Sequence, residues 1–208
     1  MILIGQYDSP FVRRVAIAMR CYGMAYEHRP WSTFSDATQL AQHNPLTRVP
    51  TLILDNGETL LDSVSILDHL DETVGETRAL IARSGPARRA ALKMIALATG
   101  LADKSVALLY ERILHKDLSA AWVDRCHAQI SGTLQALEKD RAQCAGPYWF
   151  GAAMSHADIA TACALRFTRE AHPDLFDAAR TPALARHAAH CEALPVFQEI
   201  VQPLAPPS

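Results

Sequence analysis

The chain has 208 residues, half of them hydrophobic and a fifth charged, with a formal net charge of −2. That balance suits one large or two small globular domains and gives no reason to expect nucleic acid or a membrane surface as partner. Five cysteines without C-x-x-C spacing argue against a disulfide framework or zinc site and for a reducing compartment, so a cytoplasmic location is expected.

In chain order, "MILIGQY" opens as a short buried strand with no basic, apolar leader in it. "SPFVRRVAIAMRCYG" follows with helical spacing: Val12, Val15, Ala16 and Met19 share one face, and Gly23 is placed to stop the helix. "YEHRPW" alternates as a second strand, and "SDATQLAQHNP" supports a short helix ended by Asn44-Pro45. "VPTLIL" and "ETLLD" flank Asn56-Gly57, a hairpin signal. "SVSILDHLDETVG" then predicts a helix with Val64, Leu67 and Leu70 on one face. The order is βαβαββα over residues 1–76, followed by a polar linker at 77–86. Residues 87–208 read as helical throughout, with "PLAPPS" as a frayed tail. An α/β unit followed by an all-α one argues for two domains. The longest apolar helical stretch is interrupted by Asp103-Lys104, so no membrane span is expected.

Three short stretches are candidates for chemistry. Ser9-Pro10 is a good helix cap, because Ser accepts an orphan N–H and Pro suits the first helical position. If that helix end faces a cleft, it favours an anion, and the hydroxyl can donate to a thiolate. Val49-Pro50 precedes a strand and forces extended geometry on Val49; the bond is either an ordinary trans one or a cis bond that turns the Val49 backbone toward a ligand. Asp62-Ser63 is again a cap, or a pair of acceptors with free N–H groups beside a ligand carrying an ammonium and a carboxylate. Arg13 and Arg14 oppose the dipole of a first helical turn and are expected in solvent rather than over an anion. His187-x-x-His190-Cys191 has helical ligand spacing, but no second ligand pair accompanies it, so no metal is expected.

Taken together, Ser9-Pro10-Phe11, Asn44-Pro-Leu-Thr-Arg-Val-Pro50 and Asp62-Ser63 in a βαβαββα unit resemble the glutathione S-transferase family, and the helical remainder extends the resemblance across essentially the whole chain. Ser155-x-x-Asp158 adds the family's capping box in the helical domain. The N-terminal domain is similar to the thioredoxin fold, whose redox members carry C-P-x-C where this chain has Ser9-Pro10-Phe11-Val12. A hydroxyl there can activate a thiol but cannot exchange it.

The resemblance implies that Ser9 stabilises the thiolate of glutathione, bound as substrate, and that Phe11 adjoins it. It implies that Val49 holds the cysteinyl backbone, that Asp62 and Ser63 take the γ-glutamyl end, and that Arg48 meets the glycine carboxylate. His43 is a helix-end residue first and a ligand contact second. Many members have Glu-Ser or Gln-Ser where this chain has the shorter Asp62-Ser63. An acceptor pocket for a small hydrophobic electrophile is expected between the domains, near Phe11, Trp31 and Tyr110, with Asp103 and Leu108 as further candidates. The implied protein is a cytoplasmic homodimer, with no metal, nucleic acid or membrane partner. The rivals are a non-catalytic member that binds a protein partner, and an isomerase or dehalogenase that uses glutathione without consuming it.

Overall fold

A computed structural model describes residues 1–205; the last three residues of the expected frayed tail lie outside the described residues. The chain forms two compact units, one of residues 1–83 with 195–205 and one of residues 84–194.

The first unit runs β1(Ile2–Ile4), α1(Pro10–Cys21), β2(Glu27–Arg29), α2(Ala37–Leu40), β3(Thr51–Ile53), β4(Thr59–Leu61) and α3(Ser63–Val74). Its sheet has the order β2-β1-β3-β4. β1 pairs parallel to β2, with Leu3 opposite His28, and antiparallel to β3, with Leu3 opposite Leu52. The Asn56-Gly57 turn closes the antiparallel β3–β4 hairpin, Gly57 taking φ +87°. Val12, Val15, Ala16 and Met19 are all fully buried, so the helical spacing identified the core face of α1.

On α3 the phase differs from expectation. Ile66, Leu67 and Leu70 are buried with Ser63, whereas Val64 is 57% exposed. The buried stripe follows 63, 66, 67 and 70, the i, i+3, i+4, i+7 series that starts one residue earlier.

Arg13 and Arg14 are not in solvent but 1% and 2% exposed. The reason at Arg13 is the chain's last helix, α8(Pro195–Glu199), which packs on α1. Arg13 Nε donates to the Ile200 carbonyl at 2.8 Å and Nη2 to that of Phe197 at 3.0 Å, with the guanidinium 5.4 Å from the Phe197 ring. Carbonyls at a helix C-terminus lack intrahelical partners and suit a cation. Residues 195–205, which the sequence reading gave to the helical domain, therefore belong to the first unit. The expected linker is docked as well: Tyr22 Oη donates to Asp71 and accepts from Leu80 N–H at 2.9 Å, and Ile81 is buried.

The second unit comprises α4(Gly85–Leu114), α5(Ala120–Arg141), α6(His156–Ala171) and α7(Pro182–Glu192). α6 packs on α4 and α7 and is buried along most of its length. At its start the Asp158 carboxylate accepts the Ser155 N–H at 2.8 Å, the Ser155 hydroxyl at 2.6 Å and the Trp149 N–H at 2.8 Å. The capping box thus holds both the helix end and the loop before it.

Candidate functional site

The first unit contains an open cleft of about 380 Å³, including the solvent at its mouth. Three chain segments meet there: Phe11 from the first turn of α1, Arg48 and Val49 from the loop before β3, and Leu61, Asp62 and Ser63 from the β4–α3 junction.

The loop before β3 is shaped by side chains. Asn44 is 1% exposed; its Nδ2 donates to the Arg48 carbonyl at 2.8 Å and to Thr51 Oγ1 at 3.0 Å, while its Oδ1 accepts the Leu46 N–H at 2.9 Å. Thr51 Oγ1 donates to the same Arg48 carbonyl at 3.1 Å. Within this clamp Thr47 takes φ +49°, a region a β-branched residue seldom occupies, and the Val49–Pro50 bond is cis. Among the described residues the Val49 N–H has no hydrogen-bond partner, although the loop around it is densely bonded. Asn44 and Thr51 are the shaping residues that sequence reasoning missed; the signal was Asn44, a side chain able to mimic a turn, placed directly before Pro45.

At the third segment Asp62 takes φ +68°, and its Oδ1 accepts the Val64 N–H at 2.9 Å. Ser63 is 2% exposed, with its hydroxyl 3.5 Å from Asp62 Oδ1. A helix start such as α3 leaves first-turn N–H groups without intrahelical acceptors, which makes it attractive to a carboxylate. The exposed Asp62 carboxylate beside it suits an ammonium, so the two together match an amino-acid terminus.

Ser9 is half-buried and caps α1, its Oγ accepting the Val12 N–H at 3.4 Å. It does not line the cleft itself but lies on the same helical turn as Phe11, which does. The cap uses an oxygen lone pair and leaves the O–H able to donate. Ahead of Ser9, the Tyr7 ring stacks on His28 with centroids 3.9 Å apart, and its hydroxyl lies 2.9 Å from that of Tyr26. Burial, and then the bond to Tyr26, push the Tyr7 phenol above its ordinary value, so it stays protonated and is no base. Gly5, at φ +128°, lets the chain pass close by: a Cβ there would sit 2.5 Å from Val12 Cγ2 and 2.8 Å from Val49 Cβ.

Other candidates fall elsewhere. Trp31 is half-buried, 5.9 Å from the His43 ring and 5.5 Å from the Arg29 guanidinium, and does not line the cleft. Tyr110 is on α4 in the second unit. Leu108 is fully buried in that unit, while Asp103 is exposed beside Lys104. His187 is 1% exposed: Nδ1 accepts from Arg141 Nε at 3.3 Å and Nε2 lies 3.7 Å from both Asp158 and Cys191. Burial lowers its pKa and keeps the ring neutral, which fits a packed core histidine. Among the described residues no cluster of three or more His, Cys, Asp or Glu is arranged to hold a metal. No cysteine lines the cleft.

A thioredoxin-like α/β unit with a cleft built from its first helix, the loop before its third strand and its third helix, followed by an all-helical unit, defines the fold class. Residues 3–78 match the N-terminal domain of glutathione S-transferases and residues 120–190 the C-terminal domain. A glutathione transferase family member from Pseudomonas fluorescens Pf-5, solved with bound glutathione, is 32% identical with a TM-score of 0.82, over 98% of this chain and 99% of that one. A probable maleylacetoacetate isomerase from Drosophila melanogaster is 29% identical over 99% of this chain and 84% of its own. The Escherichia coli GST-like protein YibF is 31% identical over 54% of this chain and 55% of its own length, so this match spans about half of that protein. The chain belongs to the glutathione S-transferase family.

Proposed function

We propose that this protein is a cytoplasmic, homodimeric glutathione transferase of the serine type, adding the glutathione thiolate to a small hydrophobic electrophile. The observation that carries the reading is the convergence of Phe11, Arg48, Val49, Asp62 and Ser63 on one cleft, next to the helix end capped by Ser9. Asp62 takes the ligand's ammonium, and Ser63 with the α3 N-terminus takes the γ-glutamyl carboxylate. The Val49 backbone pairs with the cysteinyl unit, and Arg48 takes the glycine carboxylate. The Ser9 hydroxyl donates to the sulfur and favours its anion. Catalysis is then electrostatic: a lowered thiol pKa, plus proximity of the electrophile. Trp31 and Tyr110 are proposed to contact the electrophile.

Calorimetric titration with glutathione, followed by conjugation of a chlorinated aromatic with glutathione consumption measured, tests this reading. Saturable binding with stoichiometric consumption is expected; absence of binding refutes it. A second reading is a glutathione-dependent cis–trans isomerase, favoured by the Drosophila relative that aligns along nearly the whole chain. Against it, the Ser-Ser-Cys type of opening is absent, since Ser9 is followed by Pro10 and Phe11. Isomerisation of a maleyl substrate without glutathione consumption would favour it.

A further inference from the structure

The residues around Ser9 are gripped on both sides by the far end of the chain. Just before Ser9, the Tyr7 N–H donates to Gln202 Oε1 at 3.1 Å, and Asp8 Oδ2 accepts the Ala205 N–H at 3.0 Å. Just after it, Arg13 is bonded to the Phe197 and Ile200 carbonyls. On the surface Arg20 Nη2 pairs with Glu199 Oε1 at 2.8 Å.

These contacts form a chain of constraint. A guanidinium as buried as Arg13 stays charged, so losing the Phe197 and Ile200 carbonyls is costly, and this opposes sliding of α8 along α1. Gln202 follows Ile200 by two residues and is therefore held at a fixed place over the β1–α1 loop. In that loop the Gly5 N–H donates to the Arg29 carbonyl of β2 at 2.9 Å and the Ser9 N–H to the Gln6 carbonyl at 3.2 Å. Between them the Tyr7 N–H is taken by Gln202, across 195 residues of sequence.

We propose that Gln202 is a positioning residue for Ser9: by accepting the Tyr7 N–H it fixes the loop two residues ahead of the cap and so sets the direction of the Ser9 O–H. This rests on the reading of Ser9 as the thiol-activating group. Catalytic hydrogen bonds are sensitive to small displacements, so a loosened loop weakens the bond to the thiolate first. The sites for the rest of glutathione are held mainly from elsewhere, by Asn44 and Thr51 and by the α3 cap, with Gly5 at the start of the loop lying close to Val49.

The test compares Gln202→Met, which keeps the length but has no equivalent acceptor, with Gln202→Glu, which restores one. Three readouts are taken on the full chain. They are hydrogen exchange of the Tyr7 amide, the thiol pKa of bound glutathione from its thiolate absorbance, and kcat and glutathione KM with a chlorinated aromatic. Gln202→Met is expected to speed Tyr7 exchange, raise the thiol pKa and lower kcat about two- to tenfold, with glutathione KM little changed. Gln202→Glu is expected to recover the parental values. If Gln202→Met keeps the parental thiol pKa and kcat while Ser9→Ala loses both, the positioning role is overturned and the transferase reading stands. If Ser9→Ala also leaves the thiol pKa unchanged, the activation reading falls and the positioning role falls with it. A Gln202→Met variant whose main defects are a lower thermal midpoint and a raised KM shows a merely structural contact and also overturns the proposal.

Discussion

Replacing Ser9 with Ala removes two things that the structure keeps distinct. One is the cap: the Val12 N–H to Ser9 Oγ bond is long at 3.4 Å, and Pro10 remains to start the helix. The stability cost therefore belongs at the low end of the usual ~0.5–2 kcal/mol for a lost cap. The other is the hydroxyl donor to the thiolate. A hydrogen bond to a charged group contributes about 1.5–3 kcal/mol, which at about 1.4 kcal/mol per pKa unit raises the bound thiol by about one to two units. With less thiolate at neutral pH, kcat/KM falls about tenfold to a hundredfold, and the loss shrinks as pH is raised through the new pKa. Titrating the thiolate absorbance of bound glutathione, beside pH–rate profiles and thermal unfolding, reads the two effects separately. A variant with the parental thiol pKa and full activity but a lower thermal midpoint would show that Ser9 is only a cap.

Asp62→Asn keeps a capping oxygen for Val64 while removing the charge, so glutathione KM should rise by about tenfold with little change in kcat or thermal midpoint; unchanged calorimetric affinity would take Asp62 out of the site. Gly5→Ala pushes a methyl against Val12 and Val49 from a positive φ, so it should cost about 1–3 kcal/mol in denaturant unfolding and weaken glutathione binding by displacing Val49. Burial lowers the pKa of both His172 and His187, so at these two sites the unfolded chain takes up more protons than the folded one as pH falls. Their contribution to stability is complete above the unfolded value of about 6.5 and lost below it, so the thermal midpoint should drop between about pH 7 and pH 5. A flat midpoint across that window contradicts the neutral, buried state of both rings.

The cysteines qualify any thiol-labelling experiment. Cys126, Cys163 and Cys191 are buried, but Cys21 is exposed and Cys144 half-exposed, so only the first three serve as unreactive controls.

Much of this protein is legible in its sequence because the relevant forces are local. The apolar spacing of Val12, Val15, Ala16 and Met19 placed the core face of α1, Asn56-Gly57 placed the hairpin, and Ser155-x-x-Asp158 placed the start of α6. Ser9 and Asp62 announced themselves as caps, because a capping side chain bonds an amide two or three residues away. What tertiary structure alone decided is everything whose partner lies far along the chain. Arg13 looks like a solvent residue until the Phe197 and Ile200 carbonyls arrive to take it inside. Tyr7 gives no sign that its amide waits for Gln202, and no periodicity says that Val49 will meet Asp62 and Ser63 at one cleft. The spacing of side chains along a helix or strand follows from backbone geometry and can be read residue by residue; which helix end or loop finally satisfies a buried cation or an orphan amide depends on how the elements pack, and that is set by the whole core at once.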